Sequence, residues 1–274
     1  MAEIAMMLPD QARSFMEKNK PESYTLLDVR QEWEYEEEHL PGALLVPLSD
    51  LPDRMDELDA GKPLLVYCRT GGRSIAAASL LQGQGFTDVS NLVGGISGWS
   101  GGTAFGPMEL GLVEFTGRET PEEVVLKAYA MENALQIFYT QRADWAETME
   151  RIELFMELAV FEDRHKDTLF TLYNRLTGSD IDLSAFEKLA LESEGVVEGG
   201  VEIAEFLDRH PDAFDDEQGI LQLSAMIEAQ ALDYYLRCAK AAQSEETRKV
   251  LQLLAREEKA HLKLLGKSMD MRDI

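Results

Sequence analysis

Positive charge is scarce in this chain of 274 residues, which has 26 Lys and Arg residues against 51 Asp and Glu residues and a net charge of -25. A polyanion of this kind repels phosphate backbones and anionic lipid surfaces, so we expect neither nucleic acid nor a membrane as a partner. Long apolar runs are also missing: an apolar run such as residues 75–81 is far shorter than the roughly 18 residues of a membrane-spanning helix. Because residues 1–10 show no secretory signal pattern, we expect the protein in the cytoplasm.

Cysteine is scarce as well. The two cysteines, Cys68 and Cys238, lie far apart and form no Cys-x-x-Cys pair, which argues against a disulfide framework and against a zinc or rubredoxin-type knuckle. Any cysteine chemistry must therefore come from a single thiol. Cys238 follows Arg237 in a helical pattern, and we interpret it as structural.

A glycine-rich stretch separates two parts of the chain that have different sequence patterns. Residues 94–117 hold eight glycines, a composition typical of linkers and loops. Before this stretch, four short β-type runs alternate with helical segments, which predicts a small parallel α/β sheet. The predicted strands span residues 24–29, 43–47, 64–68 and 89–92. We therefore predict an α/β domain over residues 1–105, a linker over 106–119 and a helical domain over 120–274.

The second half shows long helical periodicity with few helix-breaking residues, which predicts a four-helix bundle. At the start of the first helix, Thr120 supplies a capping side chain and Pro121 is a favoured first residue. Asp144 and Glu147 form a capping-box pattern, which predicts that the second helix begins there.

The third helix is predicted at about residues 219–242 and the fourth from Ser244 onward, with Ser244 as its cap. About 40 residues, 177–218, join the second and third helices and contain a predicted helical piece near residues 201–209. A crossover of this length is what a bundle needs when its second and third helices run parallel.

A loop rich in glycine and arginine begins at Cys68 and separates an apolar run from a helix-like stretch. Its sequence is Cys68-Arg69-Thr70-Gly71-Gly72-Arg73-Ser74. Backbone amides that converge at a helix N-terminus stabilise an anion, so we expect a thiolate at Cys68 and a place for an anionic persulfide. An isolated cysteine is more often an inert apolar residue, but these neighbours favour a reactive thiol.

This loop resembles the active loop of rhodanese-type sulfurtransferases, and three further segments agree with that family in chain order. The segments are Leu27-Asp28-Val29-Arg30, Glu38-His39-Leu40-Pro41-Gly42-Ala43 and Gly94-Gly95-Ile96-Ser97-Gly98-Trp99. Each segment alone is weak evidence for the family, but the four segments in this order are specific to it. The resemblance covers about residues 5–105 and implies a doubly wound parallel sheet.

The rhodanese resemblance also implies roles for individual residues. Cys68 is expected to be the nucleophile that accepts sulfur, with Arg69 and Arg73 beside it in the catalytic loop. The substrate loop would further contain Thr70, Gly71, Gly72 and Ser74. Asp28 and Arg73 are expected to brace the loop through a charge-assisted hydrogen bond. The six-residue loop 68–73 fits sulfur rather than the larger phosphate-type substrates of related phosphatases.

Three of the four histidines stand three residues after a glutamate. Glu36 and His39 are followed at once by a proline and a glycine and lack a helical apolar stripe, so we interpret this pair as a chance match. The other two pairs share a helix face with leucines and are expected to point into the bundle. They are Glu162 with His165 and Glu258 with His261.

Burying an ionised carboxylate without a partner is too costly to be incidental, which leaves metal ligation, an ion pair or a protonated acid. A second pair of glutamates, Glu132 and Glu228, lies on the apolar stripes of the first and third helices and favours metal. Each stands 30 residues before the glutamate of a Glu-x-x-His motif, which indicates two related helix pairs. A buried polar network without metal stays open as the alternative.

The six residues resemble the ligand set of ferritin-like, carboxylate-bridged di-iron proteins of the rubrerythrin and bacterioferritin kind, over about residues 118–270. The resemblance implies two iron ions, and manganese or zinc suits the same ligands. It also implies that Glu162 and Glu258 bridge the two metals. The terminal ligands would be Glu132, His165, Glu228 and His261.

Tyr139 and Tyr235 each follow a glutamate of the first or third helix by seven residues, which returns them to the same helix face. They are predicted to lie beside the metal ligands or to act as redox partners, and core packing is an equal alternative. The sequence departs from rubrerythrin at Ala231, where that family often has a further glutamate, and it lacks a rubredoxin-type domain. Peroxidase activity with built-in electron transfer is therefore not favoured, and an external electron donor would be needed.

These features predict a sulfurtransferase that moves sulfane sulfur through a Cys68 persulfide and is coupled to a di-iron redox site. The donor would be thiosulfate, a polysulfide or a persulfide, and the acceptor a thiol or cyanide. One alternative is a di-iron oxidase or peroxidase with the rhodanese-like domain as an accessory. Another is a non-enzymatic protein that binds iron or senses redox state. A homodimer is left open.

Overall fold

The computed structural model describes residues 4–105, 116–192 and 217–272, and these residues divide into two compact units. The first unit holds residues 4–105, 225–237 and 252–267. The second unit holds residues 116–192, 217–224, 238–251 and 268–272. Most of the predicted linker, 106–119, lies outside the described residues, and the predicted domain boundaries stay a prediction.

A parallel sheet forms the centre of the first unit. Its strands are β1 (Ala5–Met7), β2 (Thr25–Asp28), β3 (Leu44–Leu45), β4 (Leu64–Tyr67) and β5 (Val89–Leu92). The strands pair in the order β1-β5-β4-β2-β3, and every pair is parallel. The four predicted strands are confirmed. The sequence does not predict β1, because three residues without β-branched side chains on a largely exposed edge carry little strand signal.

Helices cover both faces of this sheet. They are α1 (Pro9–Lys18), α2 (Glu32–Glu37), α3 (Leu51–Arg54) and α4 (Gly72–Gly83). Neighbouring residues of β2 enter different buried clusters: Leu27 packs in the cluster with Ala77 of α4, and Leu26 packs in the cluster with Ala12 of α1. This alternation, which follows from the period of two along a strand, confirms the doubly wound arrangement.

Long helices make up most of the described second half. They are α5 (Pro121–Trp145), α6 (Met149–Thr177), α7 (Leu183–Glu192), α8 (Glu217–Ala241) and α9 (Glu245–Arg272). The four predicted long helices are confirmed, and α8 and α9 each contribute residues to both units. Within the described ranges, none of the helices has both the length and the apolar character to cross a bilayer.

Two of the predicted helix starts carry the expected caps. The Thr120 hydroxyl accepts a hydrogen bond from the amide of Glu123 at 3.2 Å, at the start of α5. The Ser244 hydroxyl accepts one from the amide of Thr247 at 3.3 Å, at the start of α9. Each cap satisfies one of the amide groups that the first helical turn leaves without a partner.

The predicted start of the second long helix at Asp144 is wrong. Asp144 lies in the last turn of α5, which continues to Trp145. Thr148 instead caps α6, because it has extended backbone angles and its hydroxyl accepts a hydrogen bond from the amide of Arg151 at 3.3 Å. Asp144 cannot cap α6, because it lies inside α5, and threonine is one of the favoured capping residues.

The helix α7 lies inside the predicted crossover and is not itself predicted; the helical piece predicted near residues 201–209 lies outside the described residues. Phe186 anchors α7 in the second unit. Its ring centre lies 4.8 Å from that of Tyr129, 5.5 Å from that of Phe170 and 5.1 Å from that of Tyr173. Aromatic packing therefore holds this short helix on α5 and α6.

Candidate functional sites

Cys68 directly follows β4, and its loop leads into α4. Gly71 has a φ of +106°, a left-handed conformation that favours glycine, and this lets the chain turn into the helix. Cys68 is 1% exposed, and its Sγ atom accepts hydrogen bonds from the Gly71 amide at 3.1 Å and from the Ser74 hydroxyl at 3.4 Å. The turn and the helix N-terminus therefore direct donors at the sulfur.

These donors change the acidity of the thiol. Burial raises the pKa of Cys68, but the Ser74 hydroxyl and the amides of Ser74, Gly71 and Thr70 lower it by more, so the pKa lies below its ordinary value. Arg69, Thr70 and Gly72 are exposed on the solvent side of the loop. The loop thus favours the thiolate form of Cys68.

The predicted brace between Asp28 and Arg73 is wrong. Arg73 forms a two-pronged ion pair with Glu34 of α2, with distances of 2.6 Å from Nη1 to Oε2 and 2.7 Å from Nη2 to Oε1. Asp28 accepts hydrogen bonds from Arg30 instead, from the amide at 2.9 Å and from Nη2 at 2.7 Å. Arg30 stands only two residues from Asp28 and occupies the hydrogen-bonding positions of its buried carboxylate. The helix α2 brings the carboxylate of Glu34 to Arg73 instead.

Glu34 is the site residue that the sequence reasoning missed. The hydrogen bonds from Arg73 outweigh burial and hold the pKa of Glu34 at about 2. The same hydrogen bonds raise the pKa of Arg73, and contact with the Cys68 sulfur adds to that rise. A signal for Glu34 exists, because the first turn of the helix after β2 lies at the carboxyl edge of a parallel sheet, where β4 also ends.

A second loop supports the Cys68 loop from the side of β5. The amide of Ile96 donates to the carbonyl of Cys68 at 2.8 Å, and the amide of Ser97 donates to that of Arg69 at 3.0 Å. Gly95 has a φ of +59°, and a Cβ atom there would overlap the backbone of Cys68 and Arg69. The segment 94–99, predicted from the resemblance, therefore belongs beside the sulfur site.

The first predicted group of metal ligands comes together in the second unit. Glu132 lies on α5, and Glu162 and His165 lie one turn apart on α6. His165 Nδ1 is 3.3 Å from Glu132 Oε2 and 3.2 Å from Glu162 Oε2. The two glutamates are buried and His165 is half-buried, so this group is a cluster of potential metal-ligand atoms contributed by α5 and α6.

The second predicted group repeats this arrangement in the first unit. Glu228 lies on α8, and Glu258 and His261 lie one turn apart on α9. His261 Nδ1 is 3.5 Å from Glu228 Oε2 and 3.0 Å from Glu258 Oε2, and all three residues are buried. The matching spacing in sequence thus produces matching geometry.

Each group has the donor chemistry of a first-row divalent metal site. One ligand atom from each of its three residues lies within 4.8 Å of the other two. Atoms bound to one such ion, each at about 2.1 Å, lie roughly 3 Å or somewhat more from each other. The separations between histidine nitrogen and glutamate oxygen in the two groups, 3.0 to 3.5 Å, agree with this. Two carboxylates and an imidazole suit iron, manganese or zinc. The residues therefore fit a metal ion.

Tyr139 and Tyr235, predicted beside the metal ligands, are both buried, at 1% and 0% exposed. Each stands two helical turns after the glutamate of its own helix, Glu132 or Glu228. Cys238 is also buried, and its surroundings show no glycine-rich loop of the kind around Cys68.

Comparison with known proteins gives the sulfur site its family context. The sequence model of the family described as "Rhodanese-like domain" matches residues 8–101. The thiosulfate sulfurtransferase GlpE of Pseudomonas syringae is 35% identical over 99 residues, which is 36% of this chain and 90% of GlpE. YrkF of Bacillus subtilis is 36% identical over 104 residues, which is 37% of this chain; the chain spans only 56% of the length of YrkF.

Among solved structures, a rhodanese-like domain protein from Staphylococcus aureus is 25% identical and covers 35% of this chain and 92% of its own, with a TM-score of 0.33. The family match ends at residue 101 and does not include the helices that carry the two groups of carboxylates and histidines. Through its N-terminal part, the chain belongs to the rhodanese-like family.

Proposed function

We propose that this protein is a sulfurtransferase that carries sulfane sulfur on Cys68. The observation behind the proposal is the buried Cys68 sulfur, which accepts hydrogen bonds from the Gly71 amide and the Ser74 hydroxyl at a helix N-terminus. A site that lowers the pKa of a thiol also stabilises the negative charge of a persulfide. The sulfurtransferase names of similar proteins such as GlpE agree with this chemistry.

The transfer has two steps, each an attack by one electron pair on sulfur. The Cys68 thiolate attacks the outer sulfur of thiosulfate, the sulfur–sulfur bond of the donor breaks, and sulfite leaves with the electron pair. Cys68 then carries the outer sulfur as a persulfide. In the second step, cyanide or an acceptor thiolate attacks that outer sulfur, and the Cys68 thiolate is released. A polysulfide or a carrier persulfide serves as donor by the same attack.

The residues around Cys68 have different roles in this transfer. The amides of the loop bind the negative charge on the attacking and departing sulfur atoms. Arg73, held by Glu34, adds a fixed positive charge beside the sulfur. Arg69 is exposed at the loop and is placed to meet the anionic donor.

Steady-state turnover of thiosulfate with cyanide tests this proposal. Cys68→Ser should abolish turnover because Ser cannot form a persulfide, while Cys238→Ser is the matched control and should keep it. Wild-type activity in a folded Cys68→Ser chain would reject the assignment.

We further propose that the helical part is a ferritin-like metal-binding region, with one iron or manganese ion in each group of two glutamates and one histidine. The observation that favours it is the repeated buried donor geometry. A bound iron ion would supply redox chemistry toward oxygen or peroxide. The chain's own residues would provide the negative charge and fixed imidazoles that hold it, and an external donor would supply electrons.

Metal analysis after anaerobic reconstitution with ferrous iron tests this second proposal. The wild type should hold two ions per chain, and Glu162→Ala and Glu258→Ala should each lose one. Their exposed neighbours offer matched controls, Asp163→Ala and Glu257→Ala, which should keep both ions. A ratio near zero in the wild type, or unchanged content in both glutamate variants, would reject it.

The two alternatives predict different results on the same sample. An oxidase or peroxidase with an accessory rhodanese-like part should consume oxygen or peroxide in Cys68→Ser as fast as in the wild type. A storage or sensing protein should bind metal but turn over neither thiosulfate nor peroxide. Coupling of the two sites predicts that a persulfide donor changes peroxide consumption in the wild type and not in Cys68→Ser.

A further inference from the structure

Residues 38–42 join α2 to β3 in the rhodanese-like part, and a helix outside the family match holds them. The amide of Gly42 donates to Asp233 Oδ1 of α8 at 2.9 Å, and His39 Nε2 lies 3.3 Å from the same oxygen. Arg237, one turn further along α8, donates from Nε to Asp233 Oδ2 at 2.8 Å. His39 and Asp233 are both 0% exposed, so this contact is fully buried.

The contact between His39 and Asp233 joins a ring nitrogen to a carboxylate oxygen inside the protein. His39 Nδ1 lies 2.8 Å from the carbonyl oxygen of Tyr35, so both ring nitrogens have an oxygen atom nearby. Burial raises the pKa of Asp233, but His39, Arg237 and the Gly42 amide lower it by more, which favours the carboxylate. Three groups therefore contact the buried Asp233 carboxylate: the His39 ring, the Arg237 guanidinium and the Gly42 amide.

The other side of the same segment is tied to the base of the Cys68 loop. The amide of Leu40 donates to Tyr67 Oη at 3.2 Å, and Tyr67 is the residue before Cys68. Arg30 donates from Nη2 to the carbonyl of Glu38 at 2.6 Å, and its guanidinium lies 5.5 Å from the centre of the Tyr67 ring. Tyr67 and Arg30 are buried. Residues 38–42 therefore connect α8 to the strand end that carries the reactive sulfur.

We infer that Asp233 is a positioning residue for the sulfur site. It fixes residues 38–42 and, through Tyr67 and Arg30, the strand end from which the Cys68 loop starts. Its meaning for catalysis rests on the proposed sulfur transfer. Because the family match ends at residue 101, Asp233 is an addition that this chain makes to the family's domain. The helical half thus contributes to the sulfur site through Asp233 itself, independently of metal.

The test compares Asp233→Asn with Asp163→Asn in the full chain. Asn keeps the shape of Asp233 and an acceptor for Gly42, but it removes the charge that faces His39. Asp163 is the matched control because its side chain is 53% exposed on α6. The readout is the rate of Cys68 alkylation by iodoacetamide against pH, with the modified cysteine located by mass spectrometry. Alkylation needs no sulfur donor, so it separates this inference from a failure of the proposed function.

Asp233→Asn should slow Cys68 alkylation at neutral pH and move its midpoint to higher pH, while Asp163→Asn should match the wild type. Asp233→Glu should recover part of the rate. Turnover with thiosulfate should fall by about tenfold in kcat/KM, since a misplacement of about 1 Å in a site can cost on the order of 100-fold. A wild-type alkylation profile in folded Asp233→Asn would overturn the inference.

A second variant covers the case in which Asp233→Asn does not fold, as judged by circular dichroism. His39→Gln with Asp233→Asn replaces both contacting side chains by neutral amides, which can hydrogen-bond to each other. A shifted alkylation profile in this double variant would support the inference, and a wild-type profile would overturn it. Failure of both variants to fold would also overturn it, because Asp233 would then act on the fold as a whole.

Discussion

Replacing Glu34 by Gln removes the charge that pairs with Arg73 but keeps the shape of the side chain. Glu34 is 5% exposed, and both of its oxygens accept hydrogen bonds from the Arg73 guanidinium, at 2.6 and 2.7 Å. An amide can accept only one of these two bonds and offers an N–H group to the other, which leaves the guanidinium poorly held. Arg73 should therefore lose its fixed position beside Cys68.

The magnitude follows from the acidity of Glu34. Its pKa falls from an ordinary 4.5 to about 2, and at about 1.36 kcal/mol per pH unit this corresponds to at most roughly 3 kcal/mol of folding stability. The Arg73 side chain is 33% exposed, so solvent weakens the pair and about 1–2 kcal/mol is a better expectation. Because the folded pKa is lowered, this stability is fully present above pH 4.5 and is lost as the pH falls toward 2.

Urea unfolding at several pH values from 3 to 7 measures this effect in the wild type, Glu34→Gln and the control Glu37→Gln, an exposed change on the same helix. The stability difference between wild type and Glu34→Gln should be about 1–2 kcal/mol at pH 7 and should shrink below pH 4.5. Turnover should fall about tenfold, less than the roughly hundredfold loss that follows deletion of a donor to a reacting anion. Equal stability at pH 7, or a gap that does not change with pH, would refute the role assigned to the Glu34–Arg73 pair.

Three further changes test the local packing. Gly95→Ala should lower both turnover and melting temperature, because its Cβ would overlap the Cys68 backbone. The control is Gly83→Ala in α4, where a Cβ meets open space; it should leave turnover unchanged and leave the melting temperature unchanged or slightly raised. Phe186→Ala should cost about 3–5 kcal/mol in urea unfolding and raise hydrogen exchange in α7, and unchanged exchange there would contradict the anchoring role. Thr148→Ala should cost about 1 kcal/mol, measured by thermal unfolding, whereas an effect of Asp144→Ala alone would favour the original capping assignment.

Local sequence patterns predict much of this architecture. The Cys68 loop combines a strand, a glycine turn and a helix start within a few residues, so its donors are set by nearby backbone. The two Glu-x-x-His motifs lie on one helix face by spacing alone, and each lies beside the glutamate predicted from the apolar stripe. These features depend on the period of a helix and on short turns, which a single sequence carries.

Partner choice between distant residues is harder to predict. Asp28 was the predicted partner of Arg73, but the placement of α2 at the sheet edge brings Glu34 to it instead. The pairing of His39 with Asp233 spans most of the chain and follows no periodic pattern. The helix α7 owes its position to the tertiary packing of one aromatic ring, which propensity alone does not specify.

Sulfur transfer through Cys68 is tested most directly by mass spectrometry of the intact protein and of its peptides after reaction with thiosulfate. The added mass should equal one sulfur atom per chain and should lie on the Cys68 peptide. Cyanide should remove it and release thiocyanate in equal amount. Absence of the added sulfur, or its presence on the Cys238 peptide with Cys68 unmodified, would contradict the assignment.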